Sequence, residues 1–444
     1  MKAIKPKGKN MWVAISIFVI VYAAIASEKF PRHWVTMVGG CLLVVFGIMS
    51  PKDVVDSINW ETLGLLAGMF VLVSILTESG FFHWLAMTAM RKVKYRPAPL
   101  FVVLILMAAF LSMFMDSITV MLFLSALTVQ LCHLLRLDPI PIVIAEVCAA
   151  NAGGSGTLVG DPPNVILGTT LGFSFADFAT HTGPIAVITA LLILGIFYLI
   201  NRKALNASKQ WLTEYTIMEI EYKNRRDLHP QLSKIGLICF GIAVLLLIFH
   251  VPLSHLIGVH INAAVAALIP ATVAIILLSD KHKKAVILKL DGESILFFCG
   301  LFILIGGLEK VHLFEGLATF FANLANANQN LFIMTLHWAP GLLSGIVDNV
   351  PLALAMSYVL KDLAAIPGMP ALSLMVWSLA LGVDIGGSMT PIGASANVVA
   401  YGYLEKCHGA VGWKKWLKLA APATLAAMVV SSILVLLKSQ IGWY

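Results

Sequence analysis

The chain has 444 residues, of which 59% are hydrophobic and only 12% charged, with a formal net charge of +7. Its mean hydropathy is +0.91. A soluble domain is about 25% charged, so these values exclude a soluble enzyme and point to a helical integral membrane protein. The positive excess is not a nucleic-acid signal, because the Lys and Arg residues collect in the loops between apolar runs.

In chain order, the N-terminal segment Met1 to Asn10 is basic, and Ala24-Ile25-Ala26 has the form of a signal cleavage site. The apolar run from Met11 to Ser27 is longer than a signal h-region of about 7–15 residues, so it predicts a retained helix. Three spans are expected at 11–27, 34–49 and 62–78, followed by a short amphipathic segment near 81–93. Two apolar arms, 98–114 and 120–134, then flank a polar tip at Asp116. A helix broken in a Gly-rich stretch follows, and a last span at 184–201 closes the first half.

The second half repeats this order. Its spans are 235–250, 262–279 and 294–308, and its amphipathic segment lies near 313–325. The arms 329–345 and 352–365 flank Asp348; a second broken helix and a span at 419–437 complete it. The repeat is visible in the residues themselves. Asn151 to Ile166 (NAGGSGTLVGDPPNVI) and Asp384 to Val399 (DIGGSMTPIGASANVV) share seven of sixteen positions without a gap. SMFMD at 112–116 matches SGIVD at 344–348, and Phe82, Leu85 and Ala86 match Phe314, Leu317 and Ala318.

With each pair of arms read as a re-entrant hairpin, each half crosses the membrane five times, so the second half must be inverted. The expected fold is therefore an all-α polytopic membrane protein of two inverted-topology repeats of five spans each, each with a re-entrant hairpin and a broken helix. The first repeat is 1–201, a cytoplasmic linker 202–234 joins the halves, and the second repeat is 235–444. Placing both termini outside puts 22 of the 30 Lys and Arg on the cytoplasmic side, as the positive-inside rule requires. The lysine-rich N-terminal tail is the one conflict. The expected location is the inner membrane of the cell, multi-pass.

Irregular, polar backbone inside an apolar chain must be buried in protein or line a cavity, and matched interruptions in two halves mark a transporter's substrate site. A carboxylate within the membrane is a functional candidate by default; Asp116 and Asp348 are the first two, and each could equally cap the second arm of its hairpin. Ser117, Thr119 and Asn349 beside them offer groups that replace a hydration shell. The breaks add Asn151, Gly154, Ser155, Thr157 and Asn164 in the first half, and Asp384, Gly387, Ser388, Thr390 and Asn397 in the second. Their glycines predict unwound backbone; tight helix crossing is the alternative. Asp161, before Pro162 and Pro163, reads either as an N-cap or as a proton or cation group, with Ser395 as the equivalent cap. Glu146, alone in an apolar run, is a proton-relay residue or a structural hydrogen-bond partner. The six cysteines and the histidines have no metal-ligand spacing, and no cofactor is expected.

These residues resemble a known family. NAGGSGTLVGDPPNVI with its MFMDS hairpin, and VDNVP followed by GGSMTPIGASANVV, look like the ArsB/NhaD permease family of the ion transporter superfamily, from about residue 11 to 437. That family contains arsenite/antimonite efflux pumps, sodium–proton antiporters and the P-protein type. The resemblance implies a secondary transporter rather than an enzyme. In its sodium–proton branch the functional residues match Asp116, Asn151 and Asp161, and the Asp-Asn tip matches Asp348 and Asn349. Related dicarboxylate symporters imply a homodimer with elevator-like movement, and a soluble ATPase subunit is a further partner to consider. The expected activity is arsenite/antimonite export in exchange for protons, with Asp116, Asp348, Asp161 or Asp384, and Glu146 as proton-coupling candidates. Sodium–proton antiport in the same family is the alternative. A membrane-embedded aspartyl enzyme has no need of matched hairpins, and channels usually repeat around a pore.

Overall fold

The computed structural model describes residues 8–27, 29–207, 217–218, 228–409 and 411–444. Twenty-one helices and no strand are found among them. Six helices are long and apolar enough to cross a membrane: Trp60–Glu78, Ser117–Leu134, Gly183–Ala207, Pro230–Ile257, Gly292–Lys310 and Trp413–Ile441. Shorter apolar helices, among them Arg32–Val45 and Ala263–Leu277, fill the remaining span positions. The tail lysines Lys2, Lys5 and Lys7, and linker residues 208–216 and 219–227, lie outside the described residues.

Both halves run through the expected order of elements. The first hairpin is Pro97–Ser112 with Ser117–Leu134, and the first broken helix is Pro139–Gly154 with Pro162–Leu171. The second hairpin is Gln329–Ser344 with Asn349–Ala364, and the second broken helix is Leu372–Gly387 with Ser395–His408. Local chemistry sets these boundaries. Pro97, Pro139 and Pro162 sit in first turns, where the missing N–H costs nothing. Asn59, Asn262, Asp291 and Asn328 each cap a helix through a side-chain oxygen.

Three short helices were not expected: Pro51–Ser57, Phe175–His181 and Asp280–Leu288. Two of them open on capping boxes, at Ser50 with Asp53 and Ser174 with Asp177. Each is too short to show an apolar period. The spans expected at 184–201, 235–250 and 419–437 also run further, because polar residues at their ends continue the helix beyond the apolar run.

The halves pack reciprocally. Helix Arg32–Val45 of the first lies on Gly292–Lys310 of the second, and Trp60–Glu78 of the first lies on Ala263–Leu277 of the second. Among the close approaches are glycines at matched positions: Gly68 against Ala267 and Gly300 against Thr36, neither leaving room for a Cβ. Loops of opposite halves are tied by Lys289 to Glu78, Lys310 to Asp53, and Lys415 Nζ to Asp138 Oδ2 at 3.1 Å. Lys438 Nζ also reaches His181 Nδ1 at 2.9 Å. Hydrogen bonds from Lys310 and Ser50 hold the Asp53 carboxyl well below the usual carboxylate range.

Candidate functional site

The hairpin tips and helix breaks meet in the core. Each tip ends on an aspartate that caps the second arm of its hairpin. Asp116 Oδ1 accepts from Thr119 N at 2.8 Å and Oδ2 from Thr119 Oγ1 at 2.8 Å. Asp348 Oδ1 accepts from Val350 N at 3.1 Å. The capping alternative is therefore real for both, and it places both carboxylates at helix N-termini, where the backbone dipole favours negative charge.

Asp161 behaves differently. It stands before helix Pro162–Leu171, yet its side chain caps nothing there. Its Oδ1 accepts from Ser117 Oγ at 2.6 Å and its Oδ2 from Asn349 Nδ2 at 2.8 Å. Ser117 belongs to the first hairpin and Asn349 to the second. One buried carboxylate thus joins both tips. In the second half the position before the helix is Ala394, so Ser395 is not a cap. Ser395 Oγ donates to Asp348 Oδ2 at 3.2 Å instead.

Arg32 completes the site and was not anticipated. Its guanidinium donates to Ser395 Oγ and, at 3.4 Å, to Ser294 Oγ. It stands 4.0 Å from Asp348 Oδ2 and 4.9 Å from the centre of the Phe297 ring. In sequence it is one more cation of a loop; its position at the start of helix Arg32–Val45 was the only available signal. A cavity of about 20 Å³ lies between Arg32, Asp116, Ser117, Asp161, Asn349 and Ser395. That space holds about one water-sized occupant. A larger cavity of about 740 Å³ reaches the first tip at Met115 and Thr119 and is lined further out by His83, Gln130, His133 and Cys407.

Beneath the tips the two breaks interlock. Asn151 Nδ2 donates to Ser388 Oγ and to Asn397 Oδ1, both at 3.0 Å. Asn164 Nδ2 closes the first break on Gly154 O at 3.1 Å and Thr157 O at 3.0 Å. Asn397 Nδ2 closes the second on Gly387 O at 2.8 Å and Thr390 O at 2.7 Å. Asp384 is buried beside them, with no donor on either oxygen.

Several expectations need correction. The helices run on through Gly154 and Gly387, so the unwound stretches are only 155–161 and 388–394. Gly153 and Gly386 are contact glycines: a Cβ on them would strike the carbonyls of Ala109 and Gly341 in the neighbouring hairpin arms. Ser155 Oγ bonds back to Ala152 O at 2.7 Å, and Thr157 Oγ1 bonds Met113 O, so neither hydroxyl lines the small cavity. Glu146 accepts from Thr128 on a hairpin arm, and the cavity does not include it.

Comparison with known proteins gives the family. A model of the citrate transporter family matches residues 22–382. An uncharacterized transporter of Mycobacterium tuberculosis is 30% identical over 433 residues, covering 95% of this chain and 97% of its own. The P protein of Homo sapiens is 30% identical over 507 aligned positions, which cover 97% of this chain and 60% of that one. The YdaH transporter of Alcanivorax borkumensis, whose crystal structure was described as having an unusual topology, aligns at a TM-score of 0.59. It does so over 90% of this chain and 89% of that one at 14% identity, a likeness of fold alone. The chain is a multi-pass membrane transporter, not an enzyme, and it belongs to the citrate transporter family.

Proposed function

We propose that this transporter is proton-coupled and exchanges protons for a small inorganic solute between the two hairpin tips. The reading rests on Asp161, which accepts one hydrogen bond from each tip. A carboxylate cannot carry a proton and serve a cation at once, and that exclusion is what couples two fluxes. Asp116 and Asp348 add negative charge at the same place. The site has three carboxylates against one guanidinium, which disfavours a free polycarboxylate anion such as the citrate of the family's description. A cavity of about 20 Å³ bounded by carboxylates fits a dehydrated monovalent cation, so sodium–proton antiport is the leading reading. Arsenite or antimonite export in exchange for protons is the second. It is favoured by the hydroxyls of Ser117, Ser294 and Ser395 with the Asn349 amide, which suit a neutral trihydroxide. Either assignment sets the chain on the ArsB/NhaD side of its relatives.

The halves are inverted in this reading. Support comes from the loop ties: Asp53 follows the second span of its half, whereas Lys310 ends the third span of the other. Repeats of equal direction would put those loops on opposite faces. Flux into proteoliposomes under an imposed pH gradient tests the function, with sodium, arsenite and citrate compared. Saturable sodium uptake with proton counterflow is expected. Arsenite flux without sodium flux would reverse the order of the two readings, and citrate flux alone would refute both.

A further inference from the structure

The two broken helices face each other with one chemical difference. In one direction Asn151 donates to Asn397 Oδ1 at 3.0 Å, while Asn397 spends its own two hydrogens on Gly387 O and Thr390 O. In the other direction Asp384 stands in the place of Asn151, and Asn164 in the place of Asn397. Asn164 likewise spends both hydrogens on Gly154 O and Thr157 O. Its Oδ1 is left buried with no donor. Turning the amide over would set that oxygen against two carbonyls, so the assignment stands on the bonds themselves.

Asn164 and Asp161 are the polar groups that act on Asp384, and none of the charges acting on it is positive. It is 0% exposed, and neither of its oxygens has a donor. The other titratable groups on the elements around it are engaged elsewhere. Glu146 accepts from Thr128, His337 bonds Ser378 O and Ser431 Oγ, Asp348 faces Arg32, and Lys438 reaches His181. Cys148, on helix Pro139–Gly154, is a buried free thiol. An ionised Asp384 would therefore be a buried charge with no hydrogen bond on either oxygen and no cation beside it, which costs far more than an unmade neutral bond. A protonated Asp384 has the one hydrogen that the matched position in the other half supplies.

We propose that Asp384 holds a proton on Asn164 Oδ1, as Asn151 holds its amide on Asn397, and that this is a proton exchanged in transport. The inference rests on the proton-coupled reading above and locates one of its protons. On release, the Asp384 O–H bond breaks and the proton passes to the Asp161 carboxylate, then to water at the tip cavity. One monovalent cation entering for one proton leaving keeps the net charge of the core unchanged. The device is one-sided: the first half carries an amide where the second carries an acid.

Infrared spectroscopy of the unmodified full chain with isotope-labelled aspartate, reconstituted in lipid, reads this without any cargo. A carbonyl band of protonated aspartic acid at neutral pH, lost in Asp384→Asn, is expected. No such band, or one that Asp384→Asn leaves in place, overturns the assignment. If that variant does not fold, the unmodified protein still decides, because saturating sodium should diminish the band and an unaltered band would exclude a coupled proton. Where Asp384→Asn folds, whatever sodium exchange it keeps should no longer follow an imposed pH gradient; gradient-driven uptake like the wild type's would overturn the coupling role. Unmodified protein that moves no sodium, arsenite or citrate would end the transport reading, while the infrared band would still report on Asp384.

Discussion

Asp161 and Arg32 carry the most information per residue. The Asp161 carboxylate accepts one hydrogen bond from each half, and hydrogen bonds to a charged group contribute about 1.5–3 kcal/mol each. Asp161→Asn keeps the shape and can still bond each tip, its oxygen on Asn349 and its amide on Ser117, but it cannot take up or release a proton. Transport of the cargo should fall by about tenfold or more, with a melting temperature only a few degrees lower; wild-type flux would remove Asp161 from the mechanism. Arg32 is the counter-charge of Asp348. Arg32→Gln should leave a folded protein, since the side chain is 32% exposed, and should lower flux by weakening the Ser395 bridge. Arg32→Lys should restore part of that flux, because a lysine supplies the charge without the planar fork. Flux that is equal in both variants would argue against a charge role.

At the level of helices, the contact glycines make a sharp claim. Gly153→Ala and Gly386→Ala should each destabilise the protein by at least about 1–3 kcal/mol through overpacking, because the added methyl meets backbone rather than a movable side chain. Gly195→Ala, which meets nothing within 4 Å, is the control and should be neutral or slightly stabilising. Thermal unfolding in detergent measures all three; equal shifts would refute the packing account. The hairpins and breaks were legible in sequence because polar residues such as Asp116 and Asn151 stand out in an apolar chain. What could not be read was pairing across the halves. Nothing near Arg32 points to Ser395, and the side chain of Asp161 could have turned to its own helix or away from it. The N-cap reading of Ser395 failed by a single residue, since Ala394 holds the position before the helix. The short helix Asp280–Leu288 escaped because nine mostly polar residues show no apolar stripe.

For the molecule as a whole, the loop ties define two faces. Glu78 with Lys289 and Asp53 with Lys310 should lie on opposite sides of the membrane. With the native cysteines replaced, paired cysteines at each should cross-link on oxidation, and in the reduced protein an impermeant maleimide applied to intact cells should label the Asp53 pair and spare the Glu78 pair. Labelling of both from one side would refute the inverted arrangement. The tie at Asp53 is not released by acid in the ordinary range. Its carboxyl is held well below the usual carboxylate value, so its contribution is present above that value and is lost only as pH falls through the depressed one.

The reciprocal seating of Gly68 on Ala267 and Gly300 on Thr36 has an outcome for biosynthesis. Neither half can shield the flanks of its own second and third spans without its counterpart, so each behaves as a protomer awaiting a mate. Severed within 208–227 and expressed from separate reading frames, the fragments should be unstable singly and reassemble into working carrier when made together. Mixing fragments from related carriers would then reveal how far that mutual fit has drifted.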